Sequence, residues 1–136
     1  MLGWNIYIVV VVLGSIASVM IPHSAKTTES TNTTFNAEYT AEYEPTEDKP
    51  FANGSCGAAY RVKKKNSDDE TIYMGKIFSG NPDLCKATFE PEARVFAAKL
   101  EHPNVVMCHK IYGDGKPGDG FIMDLVNGMD MGKAIL

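Results

Sequence analysis

The chain has 136 residues, of which 44% are hydrophobic and 22% are charged, an ordinary balance for one small globular domain. Its net charge of −4 argues against non-specific binding to nucleic acid, because such binding needs a basic surface. We therefore expect no nucleic-acid partner.

The N-terminal segment is the most apolar part of the chain. Residues 6–21 are apolar apart from three small residues, and this run is shorter than the roughly 20 residues that a spanning helix needs. It matches the apolar region of a secretory signal, with Ser15 and Ala17 suited to cleavage. No Lys or Arg precedes it, so an uncleaved membrane anchor and a buried core segment stay open as alternatives. We predict that residues 1–22 form a signal peptide or membrane anchor, and that the protein is secreted or lies in the secretory pathway. Contact with a membrane is expected only if the segment is not cleaved.

A polar segment follows over residues 23–49. It is rich in Thr and Glu and shows neither helical nor strand periodicity. Such a segment buries too little apolar surface to offset its ordering entropy, which predicts a flexible linker. Tyr39 and Tyr43 each lie beside a glutamate and are predicted to be exposed to solvent. Asn32 begins an N-glycosylation sequon.

Residues 50–136 are predicted to form an α+β domain, with a small five-stranded antiparallel sheet and one main helix. A first strand leads into the glycine-rich stretch, and turn signals separate the strands that follow. Hairpin-length connections favour antiparallel pairing. The four further strands are predicted over 58–65, 71–78, 105–113 and 121–126.

The main helix is predicted over residues 88–102. Thr88 is a suitable N-cap, and Pro91 then falls in the first turn. The proline of the "HPN" stretch ends the helix, because the residue before a proline avoids the helical conformation. Spacings of three and four residues predict an apolar face formed by Ala93, Phe96, Ala97 and Leu100.

The chain has three cysteines, Cys56, Cys85 and Cys108. An odd number is not a disulfide framework, so one bridge with a free thiol and three unpaired thiols both stay open. Cys56 is interpreted as an inert, exposed thiol, with a reactive thiol over a nucleotide pocket as the alternative. Cys108 and His109 are neighbours without a second ligand pair, so no metal site is predicted.

Three features together suggest phosphate binding. Gly54 and Gly57 flank a turn where backbone N–H groups could approach phosphate oxygens. Lys76 lies in a strand of apolar and small residues, where an ammonium group needs an anion, although it could also extend its head group to solvent. Glu92 flanks the apolar helix face and could reach Lys76, or could simply favour the first helical turn.

In these features, residues 50–136 resemble the N-terminal lobe of a eukaryotic protein kinase, over about two thirds of the chain. "NGSCGAAY" resembles the glycine-rich loop, and "YMGK" resembles the Val-Ala-Ile-Lys segment. "EARVFAAKLEHPNVV" is similar to the regulatory helix and its His-Pro-Asn turn. "FIMDLVNGMDM" looks like the strand, gatekeeper and hinge that follow.

The resemblance implies ATP as the ligand, bound by residues of the turn, the sheet and the hinge. Lys76 would contact the α- and β-phosphates and Glu92 would hold Lys76, which makes these two the catalytic candidates. The further ATP-binding candidates are Gly54, Ser55, Gly57, Ala59, Met123, Asp124 and Val126. The first three would cover the phosphates, the alanine would pack on the adenine, and the methionine would be the gatekeeper. The last two would offer hinge backbone groups.

The chain departs from the family pattern at several positions. Ala52 replaces the first loop glycine, and Cys56 replaces the usual aromatic tip. Gly75 precedes the lysine where the family has a β-branched residue. Glu92 lies one residue further from the His-Pro-Asn turn than the family spacing expects, which leaves Glu90 as the alternative partner of Lys76.

The printed chain ends at Leu136, shortly after the hinge, without His-Arg-Asp or Asp-Phe-Gly motifs. We therefore expect no phosphoryl transfer by this chain alone, weak ATP binding at most, and magnesium only through a missing C-terminal lobe. The expected function is a truncated kinase-like ATP-binding lobe of a secreted or membrane-anchored protein. The alternatives are a non-catalytic secreted binding module or decoy, and a receptor-like protein whose lobe faces the cytosol.

Overall fold

The computed structural model describes residues 34–128, which form an α+β fold with an antiparallel sheet and one main helix, as predicted. The signal or anchor over 1–22, the sequon at Asn32 and residues 129–136 lie outside the described residues. In chain order the elements are α1 (Ala37–Glu42), β1 (Tyr43–Pro45), β2 (Ala52–Gly54), β3 (Gly57–Lys64), β4 (Ile72–Phe78), α2 (Pro82–Ala97), β5 (Cys108–Tyr112) and β6 (Gly120–Asp124).

The sheet has six strands instead of the five predicted, and every pairing is antiparallel. Its order is β1-β3-β4-β6-β5, and β2 also pairs with β3. β1 pairs with the far end of β3, and β2 pairs with the end beside the turn. The edge of the sheet beside β3 is therefore formed by two short strands, β1 and β2, which residues 46–51 connect.

The inner face of the sheet is covered by α2. Period-two alternation places Met74, Lys76 and Phe78 of β4 on this face. Phe89 of α2 stacks on Phe121 of β6, with ring centroids 4.8 Å apart. This aromatic contact fixes the helix against the middle of the sheet.

The outer face is covered by the segment that was predicted to be a flexible linker. Tyr39 and Tyr43 are buried in a cluster with Val62, Ile77 and Tyr112, so the prediction of exposed tyrosines is wrong. The linker prediction is likewise wrong for residues 34–45, which form α1 and β1. Two aromatic side chains bury enough apolar surface to order a short segment that its average composition predicts to be disordered.

α1 begins at a local capping signal. The side chain of Asn36 accepts hydrogen bonds from the backbone N–H groups of Glu38, at 3.0 Å, and Tyr39, at 3.4 Å. The backbone N–H of Asn36 donates to the carbonyl of Gly118 at 2.9 Å. These bonds hold Tyr39 over the sheet.

Gly75 is the position on the sheet that receives Tyr39. A Cβ at Gly75 would lie 2.8 Å from the Tyr39 hydroxyl and 3.1 Å from Val62 Cγ1. Because Gly75 has no side chain, the ring of Tyr39 fills the space above it. This explains why the residue before Lys76 is a glycine.

The main helix starts earlier than predicted. Its N-cap is Asn81, whose side chain accepts from the N–H groups of Asp83 and Leu84 at 2.9 and 3.1 Å. The predicted cap, Thr88, is inside the helix, and Pro91 is in its interior instead of its first turn. Asn81 followed by Pro82 is itself a helix-start signal, which the helix predicted from Thr88 leaves out.

The buried helix face is also shifted from the predicted one. Ala93 and Phe96 pack on the inner cluster, as predicted, but Ala97 and Leu100 are exposed. Cys85 and Phe89 are the residues that α2 buries. Leu100 lies beyond the end of the helix at Ala97, which is why its periodicity was misleading.

Asp119 organises the connection between β5 and β6. One carboxylate oxygen accepts the backbone N–H groups of Asp114, Gly115 and Lys116 at 2.9, 3.1 and 2.9 Å. The other oxygen accepts from the Asn36 amide at 2.8 Å. Burial acts to raise the pKa of this carboxyl, but the hydrogen bonds to the charged form outweigh it and hold the pKa below its usual value.

We expect Asp119→Asn to lower the free energy of unfolding by about 2 kcal/mol at neutral pH, because an amide NH₂ would face N–H donors. The folded pKa lies below the unfolded value, so the contribution of the carboxylate is complete above about pH 4 and is lost as the pH falls through the folded pKa. Urea unfolding as a function of pH measures this. The exposed neighbour Asp114→Asn is the matched control. An equally steep loss of stability in acid for wild type and Asp119→Asn would contradict the assignment.

Candidate functional site

The most distinctive feature of the inner face is an ion pair between Lys76 of β4 and Glu92 of α2. The Lys76 ammonium donates to both carboxylate oxygens, at 2.7 and 2.6 Å. The Lys76 side chain is 1% exposed and that of Glu92 is 17% exposed. Lys76 also lies over the Phe78 ring, with Nζ 4.9 Å from the centroid. A buried charge of this kind needs such a partner, because desolvation is costly.

The sequence places both members of the pair by periodicity. Lys76 shares the inner face of β4 with its neighbours two residues away on either side. Cys85, Phe89, Glu92 and Phe96 lie at steps of four, three and four residues along α2, so they share one helix face. The partner of Lys76 is therefore Glu92, while Glu90 is exposed.

Two further candidates lie beside this pair on the inner face. Ala59 is the register partner of Lys76 across β3 and β4, and Phe121 is its partner across β4 and β6. Met123 follows on β6, opposite Met74. The structure thus brings Ala59, Lys76 and Met123 together, and all three are buried. Their surface is closed in this conformation.

The glycine-rich stretch forms a tight turn between β2 and β3. Gly54 and Gly57 are register partners, so Ser55 and Cys56 form the turn itself. Gly57 has φ of +154°, and a Cβ there would lie 2.1 Å from the carbonyl oxygen of Ile77. A close backbone approach therefore requires glycine at this position, independently of any ligand.

Cys56 points into the protein, so the prediction of an exposed thiol is wrong. The residue is 7% exposed, and its sulfur lies 3.4 Å from Thr88 Oγ1 of α2. The backbone of the turn is also fixed, because Ser79 N–H donates to the Cys56 carbonyl at 3.0 Å. All three cysteines are unbridged in the structure.

The two hinge candidates lie at the C-terminal end of β6 and two residues beyond it. Asp124 and Val126 are exposed. The backbone N–H of Asp124 donates to the Met107 carbonyl at 3.0 Å, and its carboxylate lies 2.5 Å from His109 Nε2. These contacts fix the direction in which the chain leaves the sheet, while Val126 keeps an accessible position.

The site residues that sequence reasoning missed are Cys85, Thr88 and Phe89 of α2. Thr88 contacts Cys56 of the turn, and Cys85 and Phe89 belong to the inner cluster. Their helical spacing from Glu92 would have placed them on the buried face if the helix start had been set at Asn81. In residues 34–128, no group of three His, Cys, Asp or Glu side chains is arranged to hold a metal ion. In the same range, no helix has the length and apolar character needed to cross a membrane.

Fold and site together define a class: a small α+β domain with a buried lysine–carboxylate pair between an antiparallel sheet and its main helix. No protein-family model matches the chain, and neither a curated protein nor a solved structure matches it significantly.

Proposed function

We propose that the chain is a protein-kinase-like nucleotide-binding lobe in which Lys76 positions the phosphates of ATP. The observation that carries the proposal is the bidentate contact of Lys76 with Glu92 between β4 and α2, beside a glycine-flanked turn. A carboxylate that holds a strand lysine in one orientation prepares it to contact a phosphate oxygen.

The chain's own residues have distinct parts in this proposal. Lys76 supplies the positive charge, and Gly54, Ser55 and Gly57 supply backbone groups over the phosphates. Ala59 and Met123 supply the apolar surface for the adenine, and Asp124 and Val126 supply hinge backbone groups. Magnesium is proposed only together with a C-terminal lobe, as the kinase resemblance implies. Phosphoryl transfer is not proposed for this chain alone.

The closed inner face makes nucleotide binding dependent on a local opening. Ala59, Lys76 and Met123 are buried, so the β2–β3 turn must move for a nucleotide to reach them. When the competent state is a minor one, the apparent affinity falls by the fraction of molecules in that state. Weak binding of ATP is therefore expected.

We expect addition of ATP to the full chain to shift the NMR amide signals of residues 54–59, and the Lys76→Met variant to lose this response. Methionine keeps much of the lysine volume without its charge. Lys63→Met, at an exposed lysine on β3, is the matched control and should bind as wild type does. A Lys76→Met chain that keeps a dispersed spectrum and binds ATP with unchanged affinity would remove Lys76 from the site.

A second candidate function is a non-catalytic binding module. The observation that favours it is an apolar stripe on the outer side of α2, formed by Leu84, Ala87, Pro91 and Val95, all of which are exposed. These residues follow helical spacing and do not contribute to the core. A folded chain that binds no nucleotide would favour this function. Secretion, or anchoring through residues 6–21, remains a proposal from the sequence.

A further inference from the structure

Two of the three thiols converge where the β2–β3 turn meets the start of α2. The Cys56 carbonyl accepts from the Ser79 N–H at 3.0 Å, and the Cys85 thiol donates to the Ser79 carbonyl at 3.3 Å. Both cysteines are thus hydrogen-bonded to the same residue. They also belong to the same buried cluster.

A second path of contacts links the two cysteines through α2. The Cys56 sulfur lies 3.4 Å from Thr88 Oγ1, and that hydroxyl donates to the Leu84 carbonyl at 2.9 Å. Leu84 precedes Cys85, and Thr88 follows it by three residues on the same side of the helix. The Cys56 side chain therefore points at the helical turn that carries Cys85.

The two thiols differ in their exposure to an oxidant. Cys85 is fully buried, and burial, followed by the nearby Cys56 sulfur, raises the pKa of its thiol. Cys56 lies in the turn itself, next to the partly exposed Ser55. Cys56 is 7% exposed and Cys85 is 0% exposed, so a small peroxide molecule would reach Cys56 first if the turn opens.

We propose that Cys56 and Cys85 are an oxidative modification site, at which hydrogen peroxide produces an intramolecular disulfide that joins the β2–β3 turn to α2. The Cys56 thiolate attacks the peroxide, the O–O bond breaks, and Cys56 sulfenic acid and hydroxide form. The Cys85 sulfur then attacks the sulfenic sulfur. The S–S bond forms, the S–O bond breaks, and the oxygen leaves as water with the Cys85 proton.

The bond has a functional consequence, which rests on the proposed nucleotide-binding function. A covalent link between the turn and α2 prevents the opening that exposes Lys76 and Ala59. The oxidised chain then keeps the Lys76–Glu92 pair closed, and reduction restores access. The same two thiols would thus control the site without contacting the nucleotide.

The test is peroxide treatment of the reduced full chain, followed by mass spectrometry. We expect a mass lower by two hydrogen atoms, reversed by dithiothreitol, and a non-reduced tryptic digest in which peptide 27–61 is linked to peptide 77–86. Cys108→Ser, on β5, should behave as wild type, whereas Cys56→Ser and Cys85→Ser should form no such link. Mapping of the wild-type chain does not depend on whether the variants fold. Sulfinic acid at Cys56 with an unmodified Cys85, a link to Cys108, or a link between two chains would overturn the proposal.

The effect on nucleotide binding is measured separately, by the ATP titration above before and after oxidation. Loss of the response on oxidation, with recovery on reduction, supports control of the site. An equal response in both forms overturns that control. If the disulfide forms but the reduced chain binds no ATP, the proposed function fails while the thiol pair stands.

Discussion

Tyr39→Ala is expected to lower the free energy of unfolding by about 4 kcal/mol, measured by urea denaturation of the full chain. Tyr39 is 1% exposed, and its ring contacts those of Phe35, Tyr43 and Tyr112. Truncation would leave a cavity over Gly75, at the centre of the outer face. The loss of unfolding free energy would be large for a short polar segment, because its few aromatic residues cover the outer face of the sheet.

Tyr39→Phe is the matched control for the ring contacts. Among the described residues, the Tyr39 hydroxyl is buried without a hydrogen-bond partner, so its removal should leave stability unchanged or raise it by about 1 kcal/mol. Gly75→Ala should be tolerated better in the Tyr39→Phe variant than in the wild-type chain, since the added Cβ would lie 2.8 Å from the tyrosine hydroxyl. A Tyr39→Ala variant as stable as wild type would show that α1 does not pack on the sheet.

Glu92→Ala is expected to cost about 3–5 kcal/mol of unfolding free energy, whereas Lys76→Met is expected to cost clearly less. Removal of Glu92 takes away the carboxylate that faces an ammonium group on a side chain that is only 1% exposed. Removal of the lysine leaves a carboxylate that is 17% exposed and can turn towards solvent. The asymmetry follows from which member of the pair is buried more deeply.

A double-mutant cycle provides the control for this second prediction. Lys76→Met combined with Glu92→Leu replaces the pair by apolar groups of similar size, and should recover most of the loss caused by Glu92→Ala. Urea denaturation of wild type, Lys76→Met, Glu92→Leu and the double variant gives the coupling free energy. Equal losses in both single variants, or a double variant less stable than either, would contradict the buried-pair description.

Much of the sheet could be predicted from alternation of side chains. The strands around Val62, Ile77 and Phe121 occur close to their predicted positions, because inward apolar residues and turn signals agree there. The pairing of Lys76 with Glu92 could also be predicted from the sequence, because strand alternation places Lys76 and helical spacing places Glu92 on buried faces. Its role in binding ATP stays a prediction.

The errors came from places where a few specific contacts outweigh local pattern. The helix predicted from Thr88 omits its first turns, because Asn81 and Pro82, which start α2, directly follow a strand and its turn. Tyr39 and Tyr43 had been interpreted as solvated, because their neighbours are polar and the glycine that receives Tyr39 lies far along the chain. The burial of Cys56 depends on the direction of one turn relative to α2. The burial of the tyrosines and of Cys56 depends on residues that are distant in the chain, so neither can be derived from one segment alone.

The two-piece edge of the sheet has a consequence for local unfolding. β2 is joined to β3 over three residue pairs beside the turn, and β1 over three pairs at the other end. Because β1 and β2 pair with opposite ends of β3, we expect β2 and its turn to open from β3, with loss of the Ser79–Cys56 hydrogen bond, while the tyrosines of the outer face stay packed. The free energy needed to reach the inner face is then that of a short segment and not that of the whole domain. The domain would in this way keep Lys76 paired with Glu92 most of the time and still expose it to solvent for brief intervals.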